Sequence, residues 1–208
     1  LKSALSPKAH TTIIGHGVTI PNNLPKPSSE YVLYLGRLDF HIKGLDILLK
    51  AWASIDTSHR TMPLCIAGSG YQSPVRKLIK EYGLNDVQLL GGLDHDKAFN
   101  TLNKAAFVCM PSRSEGFGIV AVEAMSLGKP VIVSSIPSLS AIVPHNRAGL
   151  HAAPEDPEKL AQAMAKLMDD QNLRKDLAEG ARKESRRFRL DGIVKMQEEF
   201  YKEVVKKS

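Results

Sequence analysis

The stretch Phe107-Val-Cys-Met-Pro-Ser-Arg-Ser-Glu115-Gly-Phe-Gly-Ile-Val-Ala-Val-Glu123-Ala-Met-Ser-Leu-Gly128-Lys-Pro-Val-Ile-Val-Ser134 holds a strand, a loop, a helix and a second strand in close succession. Residues 107–110 are an apolar run of strand length. Glycines at 116 and 118 separate them from a helix predicted over 117–127, and residues 131–134 are again almost wholly apolar. Strands that are apolar throughout, rather than alternating, are covered on both faces, which points to a parallel sheet.

The same unit recurs on either side. Residues 31–36 read as a strand, followed by a helix over 43–55 with Leu45, Leu48, Leu49, Trp52 and Ile55 at helical spacing. Residues 64–67 form the next strand, closed by Gly68-Ser69-Gly70 and followed by a helix over 74–82. A third strand at 87–90 leads into a helix over 96–105, and a short helix near 139–143 follows the strand at 131–134. This alternation predicts an α/β fold: a Rossmann-like, doubly wound parallel sheet with helices on both faces. Ligands are expected at the carboxyl ends of the strands, where the strand order reverses. After Gly149-Leu150 the pattern predicts helices alone, over 157–169, 171–187 and 191–206. The first opens on Asp156-Pro157-Glu158, a cap, a first-turn Pro and an acid.

Composition bounds the function classes. The 208 residues are 43% hydrophobic, enough for a sizeable core, and no apolar run approaches the roughly 20 residues of a membrane span. The opening Leu1-Lys2-Ser3-Ala4-Leu5 has neither a long apolar core nor a cleavage site, so a leader is not expected. A start without Met suggests an excised fragment. Cys65 and Cys109 lie inside strand-like runs and read as buried small hydrophobes, compatible with a cytoplasmic setting. The net charge of +6 suits an anionic partner. Its excess gathers at Arg182, Lys183, Arg186, Arg187 and Arg189 and at Lys202, Lys206 and Lys207. These read first as a solvated face of terminal helices and second as a peripheral contact with an anionic membrane. Nucleic acid is not expected, since no aromatic-interleaved basic strand is present.

The loop at 111–118 carries the chemistry. Its glycines let backbone N–H groups approach a ligand, and a helix N-terminus favours negative charge, so phosphate or carboxylate is expected there. Glu115 and Glu123 would lie within about 80° of one another if both were helical. Glu123 interrupts an apolar helix, and a carboxylate facing a core needs partners such as paired hydroxyls. An exposed Glu123 on the helix's solvent side is the alternative. Earlier in the chain, Gly36-Arg37-Leu38-Asp39-Phe40-His41-Ile42-Lys43-Gly44 places a planar guanidinium and a mobile ammonium, expected at a helix start, where they could neutralise a diphosphate. Asp94-His95-Asp96 comes nearest to a metal motif but sits at a helix approach. His10, His59, His145 and His151 lack ligand spacing, and no P-loop or Gly-x-Ser-x-Gly elbow is found.

These residues resemble glycosyltransferase family 4, retaining enzymes of the GT-B fold. Its hallmark, two glutamates separated by seven residues in a Ser-Glu-Gly-Phe-Gly-type loop, stands here as Glu115 and Glu123, with the trailing Ala-Met-Ser-Leu-Gly-Lys-Pro-Val-Ile-Val-Ser in pattern. The resemblance runs from about residue 13 to 205. It implies that Arg37 and Lys43 clamp the diphosphate of a UDP-, GDP- or ADP-sugar and that Glu115 meets donor-sugar hydroxyls. It further implies that Glu123 holds the ribose and that the N–H groups of Gly116, Phe117, Gly118, Ile119 and Val120 face sugar and phosphate. Gly68 and Leu93 fall near the nucleotide and base. No metal or other cofactor is expected. Residues 13–18 depart from the family's Pro-Asn-Gly-Val, with Gly15 and His16 in place of Pro and Asn. By this resemblance, 1–26 would be an interdomain linker with a first strand, 27–190 a donor-binding domain, and 191–208 a C-terminal crossover helix. The chain would then lack its N-terminal acceptor domain and transfer sugar poorly or not at all. Competing expectations are a non-catalytic nucleotide-binding module that pairs with a separate acceptor-domain chain, and a GT-B epimerase, which the glutamate pair disfavours.

Overall fold

The computed structural model describes Thr12 and residues 14–21 and 23–207. Among them the sheet has six parallel strands: β1 (Tyr31–Leu35), β2 (Leu64–Ala67), β3 (Val87–Gly91), β4 (Ala105–Met110), β5 (Val131–Ser134) and β6 (Gly149–Ala152). Their order is β3-β2-β1-β4-β5-β6, the doubly wound arrangement. The chain reverses direction across the sheet between β1 and β4, so a crevice opens at their carboxyl ends.

Strand residues alternate between two cores. Val32, Tyr34, Leu64, Ile66, Phe107 and Ile132 face one, built with α2 (Leu45–Ser54), α3 (Gln72–Glu81) and α7 (Pro157–Asp169). Leu33, Cys65, Val108, Val131 and Val133 face the other, built with α4 (His95–Lys104), α5 (Ile119–Ser126), α6 (Pro137–Ile142) and α8 (Gln171–Ser185). The first core centres on Trp52, fully buried, whose indole N–H donates to Asp86 at 3.1 Å. Both cysteines are buried, as expected, and burial pushes the Cys65 thiol up to about 11.

Three expectations need correction. The helix predicted over 43–55 is two helices, α1 (Phe40–Lys43) and α2, broken at Gly44. Gly44 takes a left-handed φ of 66°, and a Cβ there would stand 2.1 Å from the Pro111 carbonyl oxygen. Lys43 is therefore the last residue of α1, not the first of a longer helix. The segment after 149 is not helix alone: Gly149-Leu-His-Ala forms β6, whose residues pair with β5 from Val131↔Gly149 to Ser134↔Ala152. The basic cluster at 182–189 is not simply solvated. Arg187 donates to the carbonyls of Ala141 and Ile142 at the end of α6, and Arg182 lies against Gly128.

The first strand expected within 1–26 lies mainly outside the described residues, as do Ile13 and His10. Within 14–21 the chain makes one isolated parallel bridge, Val18 to Arg189, just ahead of α9 (Leu190–Lys207). No helix among the described residues is long and apolar enough to cross a membrane.

Candidate functional site

The site is assembled by two loops that leave neighbouring strands at the switch point. After β1, Asp39 caps α1 by accepting from the Ile42 N–H at 2.9 Å, and Gly44 closes the helix by donating to the Phe40 carbonyl at 3.2 Å. The buried Tyr34 hydroxyl donates to the Arg37 carbonyl at 2.6 Å and fixes the intervening turn. After β4, the N–H groups of Arg113 and Ser114 both donate to the Ile42 carbonyl, at 2.8 and 3.4 Å. Two segments some seventy residues apart in sequence are thus stitched backbone to backbone.

The consequence is a close ion pair. Lys43 Nζ stands 2.5 Å from Glu115 Oε2, with side chains 20% and 13% exposed. Half-buried charges of opposite sign offset part of each other's desolvation, so each holds the other in place. Beside them, Arg37 is 58% exposed and lies 3.3 Å from Asp39. Gly118 caps α5 with φ 94°, and a Cβ there would approach Leu139 Cδ2 to 2.7 Å. The N–H groups of Ile119 and Val120, in the first turn of α5, have no carbonyl one turn back to accept them. Phe117 completes the wall, edge-on to the rings of His16 at 4.9 Å and Phe188 at 5.7 Å. The cleft so formed holds about 340 Å³.

Of the residues singled out from the sequence, Arg37, Lys43, Glu115, Phe117, Gly118, Ile119 and Val120 line this cleft together. Gly116 is exposed in the same loop and a Cβ there would meet nothing within 4 Å. Glu123 lies a turn deeper along α5, half-buried. Burial pushes its carboxyl above the ordinary 4.5, while the charge of His95 on α4 acts the other way. Leu93 packs against the second core. Gly68 has a packing reason of its own: a Cβ there would meet the Gly36 carbonyl oxygen at 1.6 Å, so the turns after β1 and β2 touch. Asp94 is a helix cap, accepting from the Lys97 N–H at 2.8 Å. Among the described residues no three of His, Cys, Asp and Glu converge as a metal site. His145 and His151 pair locally, the His151 N–H donating to His145 Nδ1 at 2.9 Å.

Two residues that line or lock the site carried no role in the sequence. His16 stands in the cleft wall. Arg113 bridges the site loop to Asp46 at 2.7 and 2.8 Å, and also binds Glu155 and the Phe40 carbonyl. An arginine between two serines, next to the Glu115 motif, was the available signal.

The family model for glycosyl transferases group 1 matches residues 19–184. The chain belongs to this family. A D-inositol 3-phosphate glycosyltransferase from Corynebacterium urealyticum is 30% identical over 184 residues, 84% of this chain and 43% of that protein. Sucrose-phosphate synthase from Thermosynechococcus elongatus superposes with a TM-score of 0.85 at 28% identity, over 100% of this chain and 56% of its own. Anabaena HepE, in complex with UDP and glucose, gives 0.75 at 26% identity over 84% and 49%. The glycosyltransferase domain therefore spans about half the length of the relatives it matches.

Proposed function

We propose that this glycosyltransferase domain is the donor-binding half of a retaining enzyme that moves a hexosyl group from a nucleoside-diphosphate sugar to a hydroxyl acceptor. The observation that carries the reading is the Lys43–Glu115 contact beside the start of α5. A cation for phosphate and a carboxylate for sugar hydroxyls meet at one point, where free helix N–H groups favour an anion. In this reading Arg37 and Lys43 hold the diphosphate and balance the charge that grows on it as the leaving group departs. Lys43 has two N–H donors beyond the one used by Glu115. The N–H groups of 116–120 face sugar and phosphate, Glu115 accepts from sugar hydroxyls, and Glu123 holds the ribose. Leu93 meets the base through its backbone, and Gly68 keeps the adjoining turn close. The charge a divalent cation would supply comes from Arg37 and Lys43, so the reading needs no metal.

The acceptor wall belongs, in this proposal, to a further domain preceding residue 27, with 191–208 returning to pack on it. The chain's span of about half its relatives supports this, while the UDP and glucose held by Anabaena HepE support the donor reading. Alone, the chain binds nucleotide and transfers poorly or not at all.

Calorimetric titration with UDP, GDP and ADP tests the clamp and identifies the base. Arg37→Ala and Lys43→Ala should each weaken the preferred nucleotide about tenfold or more, the scale of one charged hydrogen bond. Unchanged affinity in both overturns the proposal. Glu123→Ala should weaken the nucleoside more than inorganic diphosphate.

A further inference from the structure

The carboxyl edge of the sheet accounts for Arg37, Lys43 and Glu115. A second group of cationic side chains gathers at the opposite edge. There Gly128-Lys129-Pro130 turns from α5 into β5, next to Ala106 at the start of β4 and residues 27–29 ahead of β1. Helix α8 packs across this turn and presents Arg174, Lys175, Ala178, Glu179 and Arg182 at helical spacing. The cleft between them holds about 530 Å³.

Lys129 is the unusual member. It is only 5% exposed, yet its ammonium donates to a single neutral acceptor, the Ser28 carbonyl, at 2.8 Å. Two N–H donors remain, and among the described residues no carboxylate forms an ion pair with it. Arg182 lies over Gly128, where a Cβ would stand 2.3 Å from its Cζ, and reaches the Leu127 carbonyl at 3.4 Å. Arg174 spends one nitrogen on the carbonyls of Leu167 and Met168. Against four cations the lining offers one carboxylate, Glu179. Glu30, ahead of β1, is occupied by the Ser28 hydroxyl at 2.8 Å. Buried ammonium groups are ordinarily paired, and two neighbouring cations with no ion pair among the described residues, and Glu30 beyond ion-pair distance, favour an anion between them.

We propose that this cleft binds a phosphate monoester, free or carried on a lipid headgroup, with Lys129 and Arg182 as its main ligands and Lys175 at the rim. A buried ammonium supplies point charge and a guanidinium supplies a fork matched to phosphate oxygens. Burial and, after it, the charge of Arg182 hold the Lys129 ammonium down to about 8, with Glu30 acting the other way. Burial stays, but a bound dianion offsets the Arg182 charge and stabilises the ammonium, so binding is favoured below about pH 8 and weakens as Lys129 loses its proton above it. The site is independent of the donor reading, since a strand's length of roughly 15–20 Å separates the two edges.

Amide chemical shifts of the isotope-labelled chain, titrated with inorganic phosphate and separately with phosphatidic acid vesicles, test this. Saturable shifts at 128, 129 and 131 and at 178–182 are expected, weakened about tenfold by Lys129→Met and by Arg182→Gln. Arg182 lies on an exposed helix face, so its variant keeps the readout should Lys129→Met not fold. Response to inorganic phosphate assigns a free anion, and response to vesicles alone assigns a headgroup. Shifts confined to 36–44 and 115–120, or shifts that both variants leave intact, overturn the proposal.

Discussion

Replacing Arg113 by Ala removes the one side chain that ties the Glu115 loop to three other segments. Its guanidinium makes a two-pronged pair with Asp46, a second with Glu155, and a bond to the Phe40 carbonyl. The side chains are 26% exposed for Arg113, 39% for Asp46 and 58% for Glu155. Solvent screens the Glu155 contact, which contributes about 0.5 kcal/mol or less. The bidentate Asp46 pair contributes about 1–2 kcal/mol and the carbonyl bond about 1 kcal/mol. The sum is about 2–3.5 kcal/mol, which for a chain of this size lowers the melting temperature by about 5–10 °C. Burial raises the Asp46 carboxyl, but Arg113 and, after it, backbone N–H groups together more than offset it, leaving it below the ordinary 3.8. A lowered carboxyl contributes stability above its unfolded value and loses it as pH falls through the folded one. The gap between Arg113→Ala and the parent is therefore full at pH 7 and narrows below about pH 4. Thermal unfolding followed by circular dichroism across this range decides the matter. A melting temperature within about 1 °C of the parent at pH 7, or a gap that widens in acid, refutes the reasoning.

Gly118→Ala combines a φ of 94° with a clash against Leu139 Cδ2, so about 2 kcal/mol of stability should be lost in urea unfolding. A loss under about 0.5 kcal/mol would show the cap does not depend on glycine. Glu123→Gln should stabilise at neutral pH. The raised carboxyl disfavours the folded state above its folded value, and that penalty fades as pH falls toward 4.5, so the benefit should shrink in acid. Neither Cys65 nor Cys109 should react with a thiol reagent at pH 8 in the folded chain, and both should react once it is unfolded.

Most of the frame was legible because its strands are buried on both faces, and the runs at 64–67, 107–110 and 131–134 carry that in their composition. The edge strand β6 was not legible. Gly149-Leu-His-Ala is four residues long with a glycine and a histidine among them, and its pairing with β5 is a tertiary fact. The break at Gly44 was hidden because Leu45, Leu48, Leu49 and Trp52 keep one helical stripe. α1 ends on the left-handed cap at Gly44, and the stripe that continues past it outweighed that glycine; the Pro111 carbonyl packed against Gly44 is a tertiary fact. Glu115 and Lys43 were each recognisable from their surrounding motifs, but that they touch follows only from the stitch between Ile42 and residues 113–114. Arg182 and Arg187 read as solvated because their acceptors are carbonyls from other elements, and carbonyls leave no mark in a side-chain pattern.

The two clefts treat charge in opposite ways. At the carboxyl edge each cation has its own carboxylate, Lys43 with Glu115 and Arg37 with Asp39, so the local net charge is close to zero. Such a cleft cannot draw a diphosphate by bulk attraction alone; it has to offer better partners than the ones already present. A nucleotide sugar can do so, because its phosphates satisfy the cations while its hydroxyls satisfy Glu115. A bare anion satisfies only one half and leaves a half-buried carboxylate uncompensated. In the proposed donor reading, the pairing would act as a filter for ligands that carry phosphate and hydroxyl groups together. Lys129 forms no ion pair among the described residues and feels Glu30 only beyond ion-pair distance, so the proposed cleft around it would take phosphate of any origin. The difference between a selective grip and a general one lies in whether the fold supplies a counter-charge of its own.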